Sequence, residues 1–173
     1  VKLAQTDGLT GLANRRRFIE CLASEAARQQ SLALLIVDVD HFKAINDQFG
    51  HVAGDTCLRL VAQIIDGPPT GAARLVARLG GEEFGVLIAD ATQSEAMAVA
   101  EAIRQALAQA PWRAVDAQLQ AATVSIGLCC GHGPLDGDAL YAHADAALYA
   151  AKRNGRDRIE TANLPAAAGL KAG

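Results

Sequence analysis

The chain has 173 residues, the length of one domain. Hydrophobic residues make up 51% and charged residues 20%, which excludes wholesale disorder. Lys and Arg number 16 against 19 Asp and Glu, so the formal charge is −3. That balance argues against a nucleic-acid partner, although it leaves room for a local basic pocket.

The four cysteines, Cys21, Cys57, Cys129 and Cys130, form no CxxC pair. They read as free thiols of a reducing cytoplasm rather than a disulfide or zinc framework. No apolar run reaches the roughly 18–20 residues of a membrane span, and no signal peptide is read. No membrane contact is therefore expected of this domain, although a longer parent protein could still be membrane-anchored. The chain enters motif-like sequence almost at once. It is therefore expected to be one domain of a longer protein with an upstream sensory or regulatory part. Residues 1–162 are expected to form the domain and 163–173 a frayed tail.

Taken in chain order, residues 13–29 predict a helix with Asn14 as N-cap and Phe18, Leu22 and Ala26 on one face. The apolar run 32–39 predicts a central strand buried on both faces. A helix follows over 42–49, then a break bracketed by Gly50 and Gly54, then a helix to about Ile65. Strands are predicted at 73–79 and 84–89, joined by Gly80-Gly81-Glu82-Glu83. Paired glycines between apolar runs signal a hairpin, because its turn needs positive φ. A helix over 93–109, strands at 113–119 and 121–129, a helix over 137–153 and a strand at 157–161 complete the order. The fold class is α/β in the α+β sense, with a ferredoxin-like βαββαβ core and a mixed sheet packed with helices.

Two acidic pairs fall at the ends of apolar strands. Asp38 and Asp40 end the 32–39 run, where a carboxylate needs compensation. Asp40 reads either as the N-cap of the next helix or as a metal acid. Asp38 reads either as a solvated strand-end acid or as a divalent-metal ligand, since one or two carboxylates with substrate phosphates suit Mg²⁺. Glu82 and Glu83 sit on the hairpin tip, which reads either as a solvated acidic turn or as a second acidic pair whose Glu82 faces Asp38 across the sheet. Two acids from separate strands beside a Gly-Gly turn describe a two-metal phosphoryl-transfer site. Lys43 at a helix start, and Lys152 with Arg156 four residues apart, are candidate phosphate contacts. Lys152 and Arg156 read equally as charges balancing a helix C-terminus. Asn46 and Asp55 read either as guanine readers or as cap and turn residues.

Five ordered motifs then carry a resemblance over about residues 5–160. They are DGLTGLANRR at 7–16, DVDHFKAIND at 38–47, FGHVAGD at 49–55, RLGGEEF at 78–84 and ALYAAKRNGRDR at 147–158. Together they resemble the GGDEF domain of diguanylate cyclases, in a GGEEF variant, with Asp157 where Asn is usual. The resemblance implies a fold similar to nucleotidyl cyclases and polymerase palms. It implies condensation of two GTP into cyclic di-GMP and two pyrophosphates by a homodimer. It implies Mg²⁺ or Mn²⁺, two ions per GTP, held by Asp38, Glu82 and the Val39 carbonyl. Asn46 and Asp55 match the guanine readers, and Lys43, Lys152 and Arg156 the phosphate contacts. His41 and Phe42 join them as substrate contacts, and Gly80 and Gly81 match the turn that admits the nucleotide. Glu83 matches the second signature acid, either as a metal ligand or as an aid to 3′-OH deprotonation. The family's inhibitory RxxD pair would fall at 71 and 74, where this chain has Gly71 and Arg74. Product inhibition through that site is therefore expected to be absent or weak. The competing expectation is a catalytically silent module that binds GTP or cyclic di-GMP.

Overall fold

A nine-residue strand with every residue but the first buried sets the architecture: β2, Ser31–Val39. The computed structural model describes residues 4–67 and 73–165. Within them the elements run β1 (Ala13–Asn14), α1 (Arg15–Ala26), β2, α2 (Phe42–Phe49), α3 (His51–Asp66), β3 (Arg74–Gly80) and β4 (Glu83–Ala89). They continue with α4 (Gln93–Ala108), a short 3-10 turn at Trp112–Ala114, β5 (Val124–His132), α5 (Gly137–Arg153) and β6 (Arg158–Asn163).

The six strands lie in the order β1-β3-β4-β2-β5-β6. β2 pairs antiparallel with both β4 and β5, and β4 pairs antiparallel with β3. β2, β3, β4 and β5 with their helices are the expected βαββαβ core. The outer strands β1 and β6 join it in parallel, making the sheet mixed.

Alternation along β2 divides the core. Ala33, Leu35, Val37 and Val39 face α3 and α4, where they meet Leu58, Val61, Ile65, Ile103 and Leu107. Leu32, Leu34 and Ile36 face α1 and α5, where they meet Phe18, Leu22, Leu140 and Leu148. Asp38 continues this second face. Gly127 of β5 lets α5 approach closely, because a Cβ there would run into the backbone of Ala144 and Leu148.

Several sequence expectations shift. The helix expected at 13–29 begins at Arg15, because Ala13 and Asn14 pair with β3. Asn14 does cap it, accepting a hydrogen bond from the Arg17 N–H at 3.0 Å. Only Gly50, with φ of 89°, breaks α2 from α3; Gly54 lies inside α3. The strand expected at 113–119 does not form. Trp112 buries its ring there and donates from Nε1 to the Leu107 carbonyl at 2.8 Å. Asp116 then accepts from the Gln118 N–H, which makes a local turn of the segment. The last strand extends to Asn163, one residue into the expected tail, whose residues 166–173 lie outside the described residues. All four cysteines are free, with Cys57 and Cys129 buried. Among the described residues no helix is long and apolar enough to cross a membrane.

Candidate active site

The β3–β4 hairpin and the end of β2 bring the acids together. Asp38 lies directly opposite Glu83 in the β2–β4 register. Directly opposed residues point to the same face, so this pair replaces the expected Asp38–Glu82 pairing. The reason is the turn. Gly80 pairs with Glu83, leaving Gly81 and Glu82 as the two turn residues. Gly81 has φ of 50° and Gly80 φ of 149°, conformations that L side chains resist. The turn still places Glu82 beside Asp38. Its carbonyl accepts from the Val39 N–H at 3.2 Å, and its charge acts on the Asp38 carboxylate.

Burial raises the Asp38 carboxyl above its ordinary value; Lys152 opposes this, while Glu82 and Asp40 add to it. Burial raises Glu83 as well, with Asp38 and Asp145 adding and Lys152 and Arg15 opposing. The Lys152 ammonium, from the last turn of α5, sits 3.0 Å from Asp38 Oδ2. Arg15 of α1 approaches from another side. It donates to the Tyr141 hydroxyl at 3.3 Å and stacks 5.6 Å above the Tyr141 ring.

Three residues that carry this geometry, Arg78, Asp7 and Tyr141, were not expected as site residues, and Asp40 was expected as a helix cap or a metal acid. Arg78 holds the turn, donating from Nε to the Gly81 carbonyl at 2.9 Å. Its other arm meets Asp7 at 3.3 Å. Burial works against the Asp7 carboxylate, but bonds from Thr10 and the Arg78 charge hold it below its ordinary value. Tyr141 is the third. Asp40 caps no helix, because His41, with φ of 55° and no side-chain bond, holds the N-cap position of α2. The Asp40 carboxylate instead accepts from Thr123, Ser125 and the Asp157 N–H. The motifs contained Asp7, Arg78 and Asp40, but pairing across the fold is invisible in one sequence.

The remaining expected residues line the start of α2 and α3. Phe42 is buried, while His41 and Lys43 are exposed at the α2 N-terminus. Asn46 and Gly54 meet between the two helices. A Cβ on Gly54 would run into Asn46 Oδ1, so glycine permits the approach. That oxygen is buried and has no hydrogen-bond partner, which is unusual for a buried acceptor. Asp55 follows Gly54 and is exposed. Arg156 follows the end of α5 in a left-handed conformation, φ 64°. Gly71 lies outside the described residues. Arg74 donates to the carbonyls of Asp66 and Gly67 at 2.9 and 3.3 Å, at the end of α3.

Among the described residues no three His, Cys, Asp or Glu side chains converge as a ready metal cage. The donor set fits a different arrangement, in which one or two hard carboxylates act with substrate phosphates. Asp38, Glu82 and Glu83 are all oxygen donors, grouped at one strand end beside cations suited to phosphate.

Comparison with known proteins identifies the chain's relatives. The chain is 42% identical over 163 residues to diguanylate cyclase DgcP of Pseudomonas aeruginosa, covering 92% of this chain and 24% of that protein. It is 40% identical over 161 residues to cyclic di-GMP phosphodiesterase PdeB of Shewanella oneidensis, covering 91% of this chain and 18% of that protein. The chain thus spans about a quarter or less of these two relatives. Among solved structures, the GGDEF domain of DgcB from Caulobacter crescentus in complex with c-di-GMP superposes with a TM-score of 0.84. It is 37% identical, with 93% of this chain and 94% of that chain covered. The family described as "Diguanylate cyclase, GGDEF domain" matches residues 4–158, and the chain belongs to that family.

Proposed function

We propose that this domain is a diguanylate cyclase that condenses two GTP into cyclic di-GMP and two pyrophosphates. The observation that carries this reading is the β2–β4 register, which sets Asp38 opposite Glu83 beside a Gly-Gly turn with Lys152 on Asp38. That arrangement offers acids for metal and a base for phosphate at one point.

Each condensation step forms a bond from a 3′ oxygen to an α-phosphorus. It breaks the bond from that phosphorus to the β-phosphate oxygen, and the 3′ proton leaves. Asn46 and Asp55 read the guanine edge, Asp55 from an exposed position near the start of α3. Lys43, Lys152 and Arg156 hold the phosphates and offset the charge that develops on pyrophosphate. His41 and Phe42 shape the phosphate end of the site. Gly80 and Gly81 keep the turn free of side chains where the nucleotide passes. Asp38, Glu82 and the Val39 carbonyl would hold Mg²⁺, or Mn²⁺, two ions per GTP. When bound, such ions lower the pKa of the attacking hydroxyl and neutralise the leaving group. Glu83 serves as a ligand or receives the 3′ proton.

One domain offers one GTP site, yet the product has two phosphodiester bonds. A two-fold homodimer places each 3′-OH at the other protomer's α-phosphate. Other parts of a longer protein would set the dimer's population. With Gly71 and Arg74 replacing the RxxD pair, product inhibition through that site is absent or weak. The engagement of Arg74 with the end of α3 supports this. The domain's chemistry is that of the cytoplasm, where GTP is available.

A second reading rests on the similarity to PdeB, a protein named for cyclic di-GMP hydrolysis. In it, the domain binds GTP or cyclic di-GMP without turnover and regulates a partner. Incubation with GTP and Mg²⁺ over a range of protein concentrations separates the two. Cyclic di-GMP and pyrophosphate, rising more steeply than protein concentration, support the cyclase. Tight GTP binding with no product supports the regulatory module.

A further inference from the structure

We propose that Asp40, Arg104 and Asp157 are positioning residues that hold Arg156 in its phosphate-contacting conformation. This rests on the cyclase reading above. The starting observation is backbone conformation. After α5 ends, three consecutive residues have positive φ: Gly155 at 118°, Arg156 at 64° and Asp157 at 45°. One such residue is enough to end a helix, and Gly155 supplies it. Arginine gains nothing from the left-handed region, so its conformation must be imposed by its surroundings.

The surroundings do impose it. The Arg156 N–H donates to the Ala151 carbonyl at 2.9 Å, closing the end of α5. The Arg156 carbonyl accepts from Arg158 Nε at 3.1 Å. The Asp157 N–H donates to Asp40 Oδ2 at 3.0 Å. The Asp157 carboxylate accepts from Arg104 Nη1 at 3.0 Å, and Arg104 is itself held by Glu101 at 2.9 Å. Asp40 cannot swing away. Thr123 and Ser125 each donate a hydroxyl to it at 2.7 Å, and its own N–H bonds the Thr123 carbonyl at 2.9 Å. Both sides of the Arg156 backbone are thus tied. Its guanidinium, by contrast, has no hydrogen-bond or ion-pair partner among the described residues.

Two acids of one strand end therefore place two cations. Asp38 takes the Lys152 ammonium, and Asp40, two residues on, takes the backbone that carries Arg156. A buried carboxylate spent on one backbone N–H and two hydroxyls is costly as mere scaffolding. As a device that aligns a phosphate-binding arginine with a metal-binding acid, it has a purpose. Asp157 also departs from the Asn usual in this motif. Asn would keep the left-handed turn but would not supply the charge that pairs with Arg104.

The test compares two ligands by calorimetry: 3′-deoxy-GTP, which lacks the attacking hydroxyl, and guanosine, which lacks phosphates. Asp40→Asn should weaken 3′-deoxy-GTP about 10-fold or more and leave guanosine unchanged. Arg104→Gln and Asp157→Asn lie on the surface, should fold, and should each weaken 3′-deoxy-GTP about 2–5-fold. Their double variant should be no worse than either alone. Arg156→Ala should lose about as much alone as it does together with Asp40→Asn. Surface variants that bind 3′-deoxy-GTP like the wild type, or variants that lose both ligands equally, would overturn the inference. A wild-type domain that binds neither ligand would overturn the cyclase reading along with it.

Discussion

Lys152 Nζ stands 3.0 Å from Asp38 Oδ2, with the acid almost wholly buried and the lysine one-third exposed. An ion pair so placed is more than a surface contact, because loss of one partner leaves a buried charge. The same ammonium is the proposed phosphate contact. Lys152→Met should therefore act twice. It should raise KM for GTP about 10- to 100-fold, the range of one lost charge-assisted hydrogen bond. It should also shift the acid limb of the pH–rate profile upward, since Asp38 loses the cation that opposes its raised pKa. Steady-state kinetics across pH measures both.

The motifs reveal the family, and hydrophobic periodicity reveals most elements. The expected bounds of α2 and α5 coincide with the structure, because apolar spacing marks both, Gly50 ends α2 and Asp136 caps α5. What stays hidden is pairing between distant segments. Whether Asp38 meets Glu82 or Glu83 depends on a one-residue shift in a hairpin, and such a shift flips every side chain. Asp40 looks like a helix cap because it precedes a helix, but its partners lie 83, 85 and 117 residues away. Segment 113–119 alternates weakly, yet Trp112 and Asp116 fold it locally.

Glu83 illustrates a conflict between stability and function. Burial, Asp38 and Asp145 raise its pKa in the folded protein. A carboxylate with a raised folded-state pKa favours folding at low pH, and that contribution is lost as pH rises through the folded value. At pH 8 the ionised Glu83 therefore weighs against folding. Glu83→Gln should raise Tm at pH 8. The gain should shrink as pH falls toward the ordinary glutamate value of 4.5. The same substitution should abolish turnover. Calorimetric melts at several pH values, beside an activity assay, check the pair of effects.

Arg78 links the opening motif to the signature turn through Asp7 and the Gly81 carbonyl. Its ion pair is mostly shielded, and its removal loosens the turn more than the core. Arg78→Gln should cost about 1–2 kcal/mol in stability. It should lower kcat/KM at least 10-fold, because the acids on the hairpin depend on that turn. Denaturant melts and initial rates give the two numbers. Asp7→Asn, which keeps the Thr10 bonds but weakens the ion pair, should fall between wild type and Arg78→Gln.

Asn46 and Gly54 offer a test that separates binding from folding. The Asn46 oxygen is buried without a partner, and a Cβ on Gly54 would collide with it and approach the Phe42 ring. Gly54→Ala should therefore destabilise the domain by about 1–3 kcal/mol, the usual cost of overpacking. It should also displace Asn46 and weaken GTP. Removing the obstacle distinguishes the effects. Asn46→Ala combined with Gly54→Ala relieves the collision, so most of the lost stability should return. GTP binding should not return, because the guanine reader is gone. If the double variant recovered both, Asn46 would have no part in reading the base. If it recovered neither, the contact with Phe42 rather than Asn46 would be the seat of the strain.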